Sequence, residues 1–231
     1  MIDLGRMPYA AAYRVQQDHH AEVLAARDAA RPEPGRILLV EHDPVITVSR
    51  RPSARDHLLA SPELLARHGV DVQPTDRGGD ITYHGPGQIV CYPILDLNRV
   101  GLRLIEHVRM LEAAIIATLA AYEIPGVRDP SATGVWVPGA TGDPERKIAA
   151  IGIRVRRWVS LHGLALNVTT NLDHFALIVP CGLAGRPVTT MASELGDACP
   201  PIEDVKRTLV DALRAQIAER LRHEPRASAR G

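Results

Sequence analysis

The stretch RGGDITYHGPGQIVCYPILDL, residues 77–97, decides the fold. It reads as loop, strand, Gly-Pro-Gly turn, strand, with ITYH and IVCYPIL supplying the apolar runs and the glycines marking the turns. Two strands joined by a tight turn are a local pairing unit, unlike the strand–helix alternation of a doubly wound sheet. The same pattern recurs on both sides. Upstream, short aliphatic runs at 37–40 and 45–48 flank His42-Asp43-Pro44 and predict a hairpin, and Val70 and Val72 alternate as a further strand. Downstream, 134–137 is a short strand, and 147–169 predicts two strands with a turn near Val159-Ser160. Four helices are predicted between them: 8–30, stopped by Pro32, Pro34 and Gly35; a short one capped by Ser61-Pro62-Glu63 and ended at His68-Gly69; 102–122; and 201–223. Leu104, Val108, Leu111, Ile115 and Leu119 carry the three- and four-residue spacing of the third helix most clearly. Strands outnumber helices and pair locally. The expected class is therefore α/β of the α+β type, a mixed β-sheet flanked by helices. No linker or repeat divides the chain, so residues 1–223 are expected to form one domain and 224–231 a frayed tail.

Composition narrows the function. The chain has 231 residues, 45% of them hydrophobic, and equal totals of 27 basic and 27 acidic side chains. That balance argues against disorder and provides no global field for nucleic acid or anionic lipid. The first twenty residues lack the apolar run of a signal peptide, and no stretch has the roughly 18 apolar residues of a membrane span. Cys91, Cys181 and Cys199 show no Cys-x-x-Cys spacing, so neither a disulfide framework nor a zinc knuckle is indicated. No metal site is expected, and the cytoplasm is the expected compartment. Only Lys147 and Lys206 are lysines; the other 25 basic residues are arginines. A lysine can shed its proton in a protein and an arginine effectively cannot.

Walker, Gly-x-Gly-x-x-Gly, His-Glu-x-x-His and Gly-x-Ser-x-Gly patterns are absent. Chemistry is left to four glycine-bearing segments. The first, 77–88, is either the wall of a ligand site, with Arg77 and His84 as polar ends, or a pair of turns around a hairpin. The second opens with Lys147 at the start of an apolar strand, where an isolated lysine is ordinarily solvated. The third, SLHGLALN at 160–167, repeats the His-Gly pair, and His162 reads as a general base or as a half-buried histidine bonded to backbone. In the fourth, VPCGL at 179–183, Cys181 sits in a Pro-Cys-Gly turn able to present a side chain to a pocket, with the amide beside Gly182 open to an oxyanion. Cys91 reads as an inert buried thiol and Cys199 as incidental.

In their order and spacing, RGGDITYHGPGQ at 77–88, GVWV at 134–137, KIAAIG at 147–152, LHGLALNV at 161–168 and PCGL at 180–183 resemble the lipoyl(octanoyl) transferase family, also called lipoate–protein ligase B. The similarity runs from about Leu38 to Leu195. It implies the biotin/lipoate protein ligase fold and an octanoyltransferase that moves an octanoyl group from acyl carrier protein to a lysine of lipoyl domains. Those acceptors belong to 2-oxoacid dehydrogenase complexes and to the H protein of glycine cleavage. By resemblance Cys181 is the acyl-thioester nucleophile and Lys147 its proton-accepting or charge-stabilising partner. The resemblance also implies an acyl pocket lined by Arg77, Gly78, Gly79, Asp80, Ile81, Thr82, Tyr83 and His84, by Ala150, Ile151 and Gly152, and by Gly163, Leu164 and Ala165, with His162 in support. No cofactor is implied, because the incoming thioester is already activated.

The implied roles are chemically consistent. An ordinary thiol has a pKa near 8.5, and only a few per cent is thiolate at neutral pH; a nearby ammonium favours the thiolate, and a neutral amine accepts its proton. Small residues at 78, 79, 150, 152, 163 and 165 are expected to leave room for a linear acyl chain, selected by burial at about 0.8 kcal/mol per CH₂. The loop PGATGDPER before Lys147 is longer than the family's. Arg154, Arg156 and Arg157 beside the implied site are expected either to dock an acidic carrier or to be a solvated strand face. The competing expectation is an ATP-dependent lipoate or biotin ligase of the same fold, which would not need Cys181.

Overall fold

The computed structural model describes residues 1–29, 33–140, 145–179 and 186–223. In chain order the elements are β1 (Ile2–Met7), α1 (Tyr9–Asp28), β2 (Gly35–His42), β3 (Val45–Val48), α2 (Pro62–His68), β4 (Asp71–Pro74), β5 (Ile81–His84), β6 (Gln88–Leu95), α3 (Leu104–Ala120), β7 (Val135–Val137), β8 (Arg146–Arg156), β9 (Val159–Asn167), α4 (Met191–Leu195) and α5 (Ile202–His223). Single 3₁₀ turns cover Pro52–His57 and Leu172–Leu177.

The alternation along two strands sets the architecture. In β2, Ile37 and Leu39 face one core while Leu38 and Val40 face another; in β6, Ile89, Cys91 and Leu95 take the first side and Val90, Tyr92 and Ile94 the second. A strand with a two-residue period and apolar groups on both faces belongs in the middle of a sheet covered on both sides. It lies there, in a six-stranded mixed sheet of order β1-β2-β6-β9-β8-β7, antiparallel except for the parallel β1–β2 pair. Residues of α3 and α5, Leu111, Ile115, Leu209 and Leu213 among them, fill the first core. Ala12 and Val23 of α1 close the second.

A second sheet, of order β4-β3-β5, has its own small core. This corrects the expected hairpins. The runs at 37–40 and 45–48 lie in different sheets, because both edges of β2 are already occupied by β1 and β6 while β3 pairs with β4 and β5. Likewise β5 and β6 are joined by the Gly-Pro-Gly turn but belong to separate sheets. That turn therefore carries the chain from one sheet to the other. The β8–β9 hairpin is real, but it turns at Arg157-Trp158, both at positive φ (52° and 64°), and not at Val159-Ser160. Two positive-φ residues are what a tight hairpin turn needs, and the absence of Gly or Asn there concealed it. The predicted caps of α2 are present: the Ser61 hydroxyl accepts from the Leu64 amide and Gly69 ends the helix in the left-handed region. Among the described residues no helix is long and apolar enough to cross a membrane.

Candidate active site

Lys147 is buried, with 9% of its surface exposed, and not solvated as an isolated strand-start lysine would be. Three elements converge on it. Its strand β8 pairs with β7, placing Lys147 opposite Trp136, and its Nζ lies 5.1 Å from the centre of the Trp136 ring. Gly134, at φ +129°, lies against the lysine side chain: a Cβ there would be 2.7 Å from Cε and 2.5 Å from the Ala149 carbonyl oxygen. Only glycine combines that dihedral with that approach. On the other side, the Lys147 amide donates to Pro187 O, and the Thr189 amide donates to Lys147 O, both at 2.9 Å. Arg186 stacks on Trp136 (3.6 Å to the ring centre) and bonds Asp129 at 2.5 Å. The Asp129 carboxyl is held at about 2 by the Ser131 hydroxyl and amide and by Arg186.

Cys181 lies outside the described residues. The described chain before it ends with the Val179 amide bonded to His57 O (2.8 Å) and Ile178 bridging Leu58; after it, the chain resumes in the 186–189 run bonded to Lys147. The described chain is thus bonded to His57 just before residue 180 and to Lys147 just after residue 186.

Two adjoining recesses lie over β8 and β9. One is bounded by Tyr9, His84, Tyr92, Ala150 and His162, and the other by Gln88, Lys147, Asn167, Phe175 and Val188; Thr82, Ala150 and Ala165 are common to both. Their cavity volumes are small, about 30 and 20 Å³. An outer groove lined by Gly78, Gly79, Leu104, Thr133 and Gly152 also reaches Lys147.

A chain of neutral polar side chains runs along the recesses, beside Arg77 at the first and Lys147 at the second. His84 Nδ1 donates to Gln88 Oε1 (2.7 Å), Gln88 Nε2 to Asn167 Oδ1 (2.8 Å), and Asn167 Nδ2 to Thr189 O (3.1 Å), whose own amide donates to Lys147 O. Because a carbonyl oxygen only accepts, this chain sets both amide orientations and places the His84 proton on Nδ1. Burial pushes His84 down to about 3 and His42 down to about 4, so both are neutral at physiological pH. A largely apolar recess with neutral histidines suits an uncharged acyl chain, which gains from burial and asks for no counter-charge.

The expected lining residues divide by strand periodicity. In β5, Thr82 and His84 face the recess while Ile81 and Tyr83 belong to the core of the small sheet. Asp80 is bonded to His57 Nδ1 at 2.5 Å, and Arg77 uses Nη2 to hold Thr47 O and Oγ1, both at 3.1 Å, although it also borders the first recess. Ala150, Ile151, Gly152, Gly163, Leu164 and Ala165 all border that recess. The glycines there do not simply make room for a ligand. A Cβ on Gly152 would stand 2.8 Å from Gly78 O, and one on Gly163 would strike the Cys91 carbonyl, so both admit neighbouring backbone. His162 is buried; its Nε2 donates to Asp76 Oδ1 at 2.8 Å and its amide donates to Gln16 Oε1 at 2.9 Å. Arg154 pairs with the same Asp76 and Arg157 with Asp28 at 3.8 Å. Lys206 is tied to Glu203, Asp3 and Glu41. Sequence reading assigned no role to Gln88, Gly134, Trp136 or Asn167, although all four stand inside the quoted motifs. Tyr9 on α1 and Tyr92 on β6 enter the site from outside the motifs.

The chain matches the model of the lipoyl protein ligase A/B catalytic domain over residues 12–214. It is 50% identical over 190 residues to an octanoyltransferase of Solibacter usitatus, covering 82% of this chain and 80% of that protein. It is 43% identical over 227 residues to one of Chloroflexus aurantiacus, covering 98% and 95%. Among solved structures it resembles the bipartite lipoate protein ligase of Thermoplasma acidophilum, with a TM-score of 0.67, 16% identity, and coverage of 94% of this chain and 83% of that one.

Proposed function

The chain belongs to the lipoyl protein ligase A/B catalytic domain family, among the octanoyltransferases, and from that premise we propose that it moves an octanoyl group from acyl carrier protein to a lysine of lipoyl domains through a thioester on Cys181. The acceptors are the lipoyl domains of 2-oxoacid dehydrogenase complexes and the glycine cleavage H protein. The reaction takes place in the cytoplasm on a single domain.

The reading is carried by the buried Lys147, whose backbone is bonded to the residues that follow the Cys181 segment and whose side chain borders the recess. Lys147 takes the Cys181 proton. The thiolate attacks the octanoyl carbonyl, a C–S bond forms to Cys181, and the carrier thiolate leaves, recovering the proton from Lys147. The acceptor lysine, as free amine, then attacks the acyl-enzyme. A C–N bond forms, the C–S bond breaks, and the proton lost by the amine returns to Cys181 through Lys147. Thioester exchange is nearly isoenergetic and amide formation runs downhill, so no nucleotide is consumed. Lysine suits the part because its amine can alternate between charged and neutral forms.

Incubation with octanoyl-carrier in the absence of ATP, followed by intact-mass measurement and peptide mapping, tests this. The expected product is one octanoyl adduct on Cys181, discharged when a lipoyl domain is added. An enzyme that acquires no adduct and transfers only when ATP is present is a ligase, and the proposal fails.

A further inference from the structure

A short arginine-rich segment lies beside the candidate active site. Arg50 and Arg51 sit on the link between β3 and the 3₁₀ segment Pro52–His57, and Arg55 sits within that segment, all three exposed, and among the described residues no carboxylate pairs with them. Of the sequence's three candidates for docking, Arg154 and Arg157 are engaged by Asp76 and Asp28, and Arg156 is exposed in the basic recess that Asp76 and Arg154 also line. The three guanidiniums rim a cleft whose floor is apolar, formed by Val48, Leu58 and Val72. Arg51 also borders the outer groove that reaches Lys147, and Arg50 also borders the recess beside Arg156. The cleft, the groove and the basic recess therefore meet at Arg50-Arg51. Two large exposed apolar side chains flank this junction: Leu59 just past the arginines and Leu104 in the groove.

A chain of zero net charge has no long-range field to bring in a partner, so a local cluster of unpaired guanidiniums is where an acidic surface would gain most. Arginine forks favour carboxylates and phosphodiesters, and an apolar floor adds burial to the electrostatic attraction. We propose that Arg50, Arg51 and Arg55 dock the acidic face of the protein that carries the octanoyl thioester, setting its acyl arm at the groove that reaches Lys147. This rests on the transfer reading above and assigns the surface to the donor. The acceptor domain would then use a different face.

The test measures steady-state transfer to an isolated lipoyl domain from two donors, octanoyl-acyl carrier protein and octanoyl-pantetheine, a small uncharged thioester. For Arg50→Glu, Arg51→Glu and Arg55→Glu combined, the KM for the carrier donor is expected to rise about tenfold or more. Turnover of octanoyl-pantetheine and the KM for the lipoyl domain should stay within about twofold, which also shows that the variant is folded. The wild-type KM for the carrier should rise with ionic strength, and the variant's should respond less. An unchanged carrier KM overturns the proposal. So does a rise confined to the KM for the lipoyl domain, which would give the surface to the acceptor. Wild-type enzyme that accepts neither donor would refute the transfer reading itself, a result visible before any variant is made.

Discussion

Gly134 and Lys147 are packed so closely that a methyl group on the first would stand 3.3 Å from the amine nitrogen of the second. The position of the amine is therefore set by the lack of a side chain on a neighbouring strand. Glu112, buried on α3, supports that placement: its Oε1 accepts from the Gly134 amide at 3.4 Å, while Arg109 and Arg128 hold its other oxygen. Gly134→Ala would impose a backbone at φ +129° on a residue with a Cβ and push the amine aside. The expected result is a fall in kcat of about tenfold or more, together with a stability loss on the order of 1–3 kcal/mol from backbone strain. Circular dichroism melts and kcat measured well below the melting point separate the two effects. Full turnover in a folded variant would mean that the amine need not sit where it does.

The lysine itself is tested by Lys147→Arg. The charge is kept, but a guanidinium does not shed its proton, and the longer fork has no space against Gly134 and Trp136. If the amine must take and return a proton, kcat is expected to drop about a hundredfold or more, and the loss should persist as the pH is raised. Near-normal turnover in this variant would show that the amine supplies charge alone, and recovery confined to high pH, where the cysteine thiol ionises unaided, that its one task is to remove the thiol proton.

What the sequence disclosed and what it hid follow from the range of the interactions. The helices of the large sheet were readable because Leu104 to Leu119 and Val205 to Ile217 repeat on one face, a local signal. The partners of a strand are not local. The run at 45–48 says that it is a strand, but only the occupancy of both edges of β2 sends it to a second sheet. For the same reason Lys147, at a strand start, reads as solvated until β7 and the 186–189 run cover it. Within β5 the alternation that gives Thr82 and His84 to the recess and Ile81 and Tyr83 to the small core was already present in the letters ITYH. The motif reading treated all four as one wall, and the strand period divides them.

Chain-length selection should reside in the wall shared by the two recesses. Thr82, Ala150 and Ala165 border both, and the two alanines are the smallest side chains of that shared wall. Ala150→Leu would intrude on both recesses at once and exclude the far carbons of an octanoyl group. At about 0.8 kcal/mol for each CH₂ left unburied, kcat/KM for octanoyl-carrier is expected to fall by about tenfold or more while that for butyryl-carrier is kept, so that the preference shifts toward short chains. Competition between C4, C6 and C8 donors, read by mass spectrometry of the lipoyl domain, measures the shift. An unaltered C8 preference would place the acyl chain elsewhere.

The buried histidines make a separate forecast about acid. Burial lowers His42 and His107 to about 4 and His84 to about 3, against about 6.5 in an unfolded chain. Between about pH 6.5 and about pH 4 the unfolded chain binds protons that the folded one refuses, so stability must fall as the pH falls, by up to about 1.4 kcal/mol per pH unit for each histidine. Urea midpoints should drop through this window, above most carboxylate titrations. His107 permits the decisive control. It lies wholly buried on α3 with neither ring nitrogen bonded among the described residues, whereas His84 and His42 hold Gln88 and Tyr92. His107→Leu removes one of the titrating groups and two unpaired polar atoms together. The variant is expected to be more stable than the parent at neutral pH by about 1–3 kcal/mol, with a pH slope reduced by about one proton's worth. Equal slopes for the two proteins would show that His107 does not take part in the acid transition.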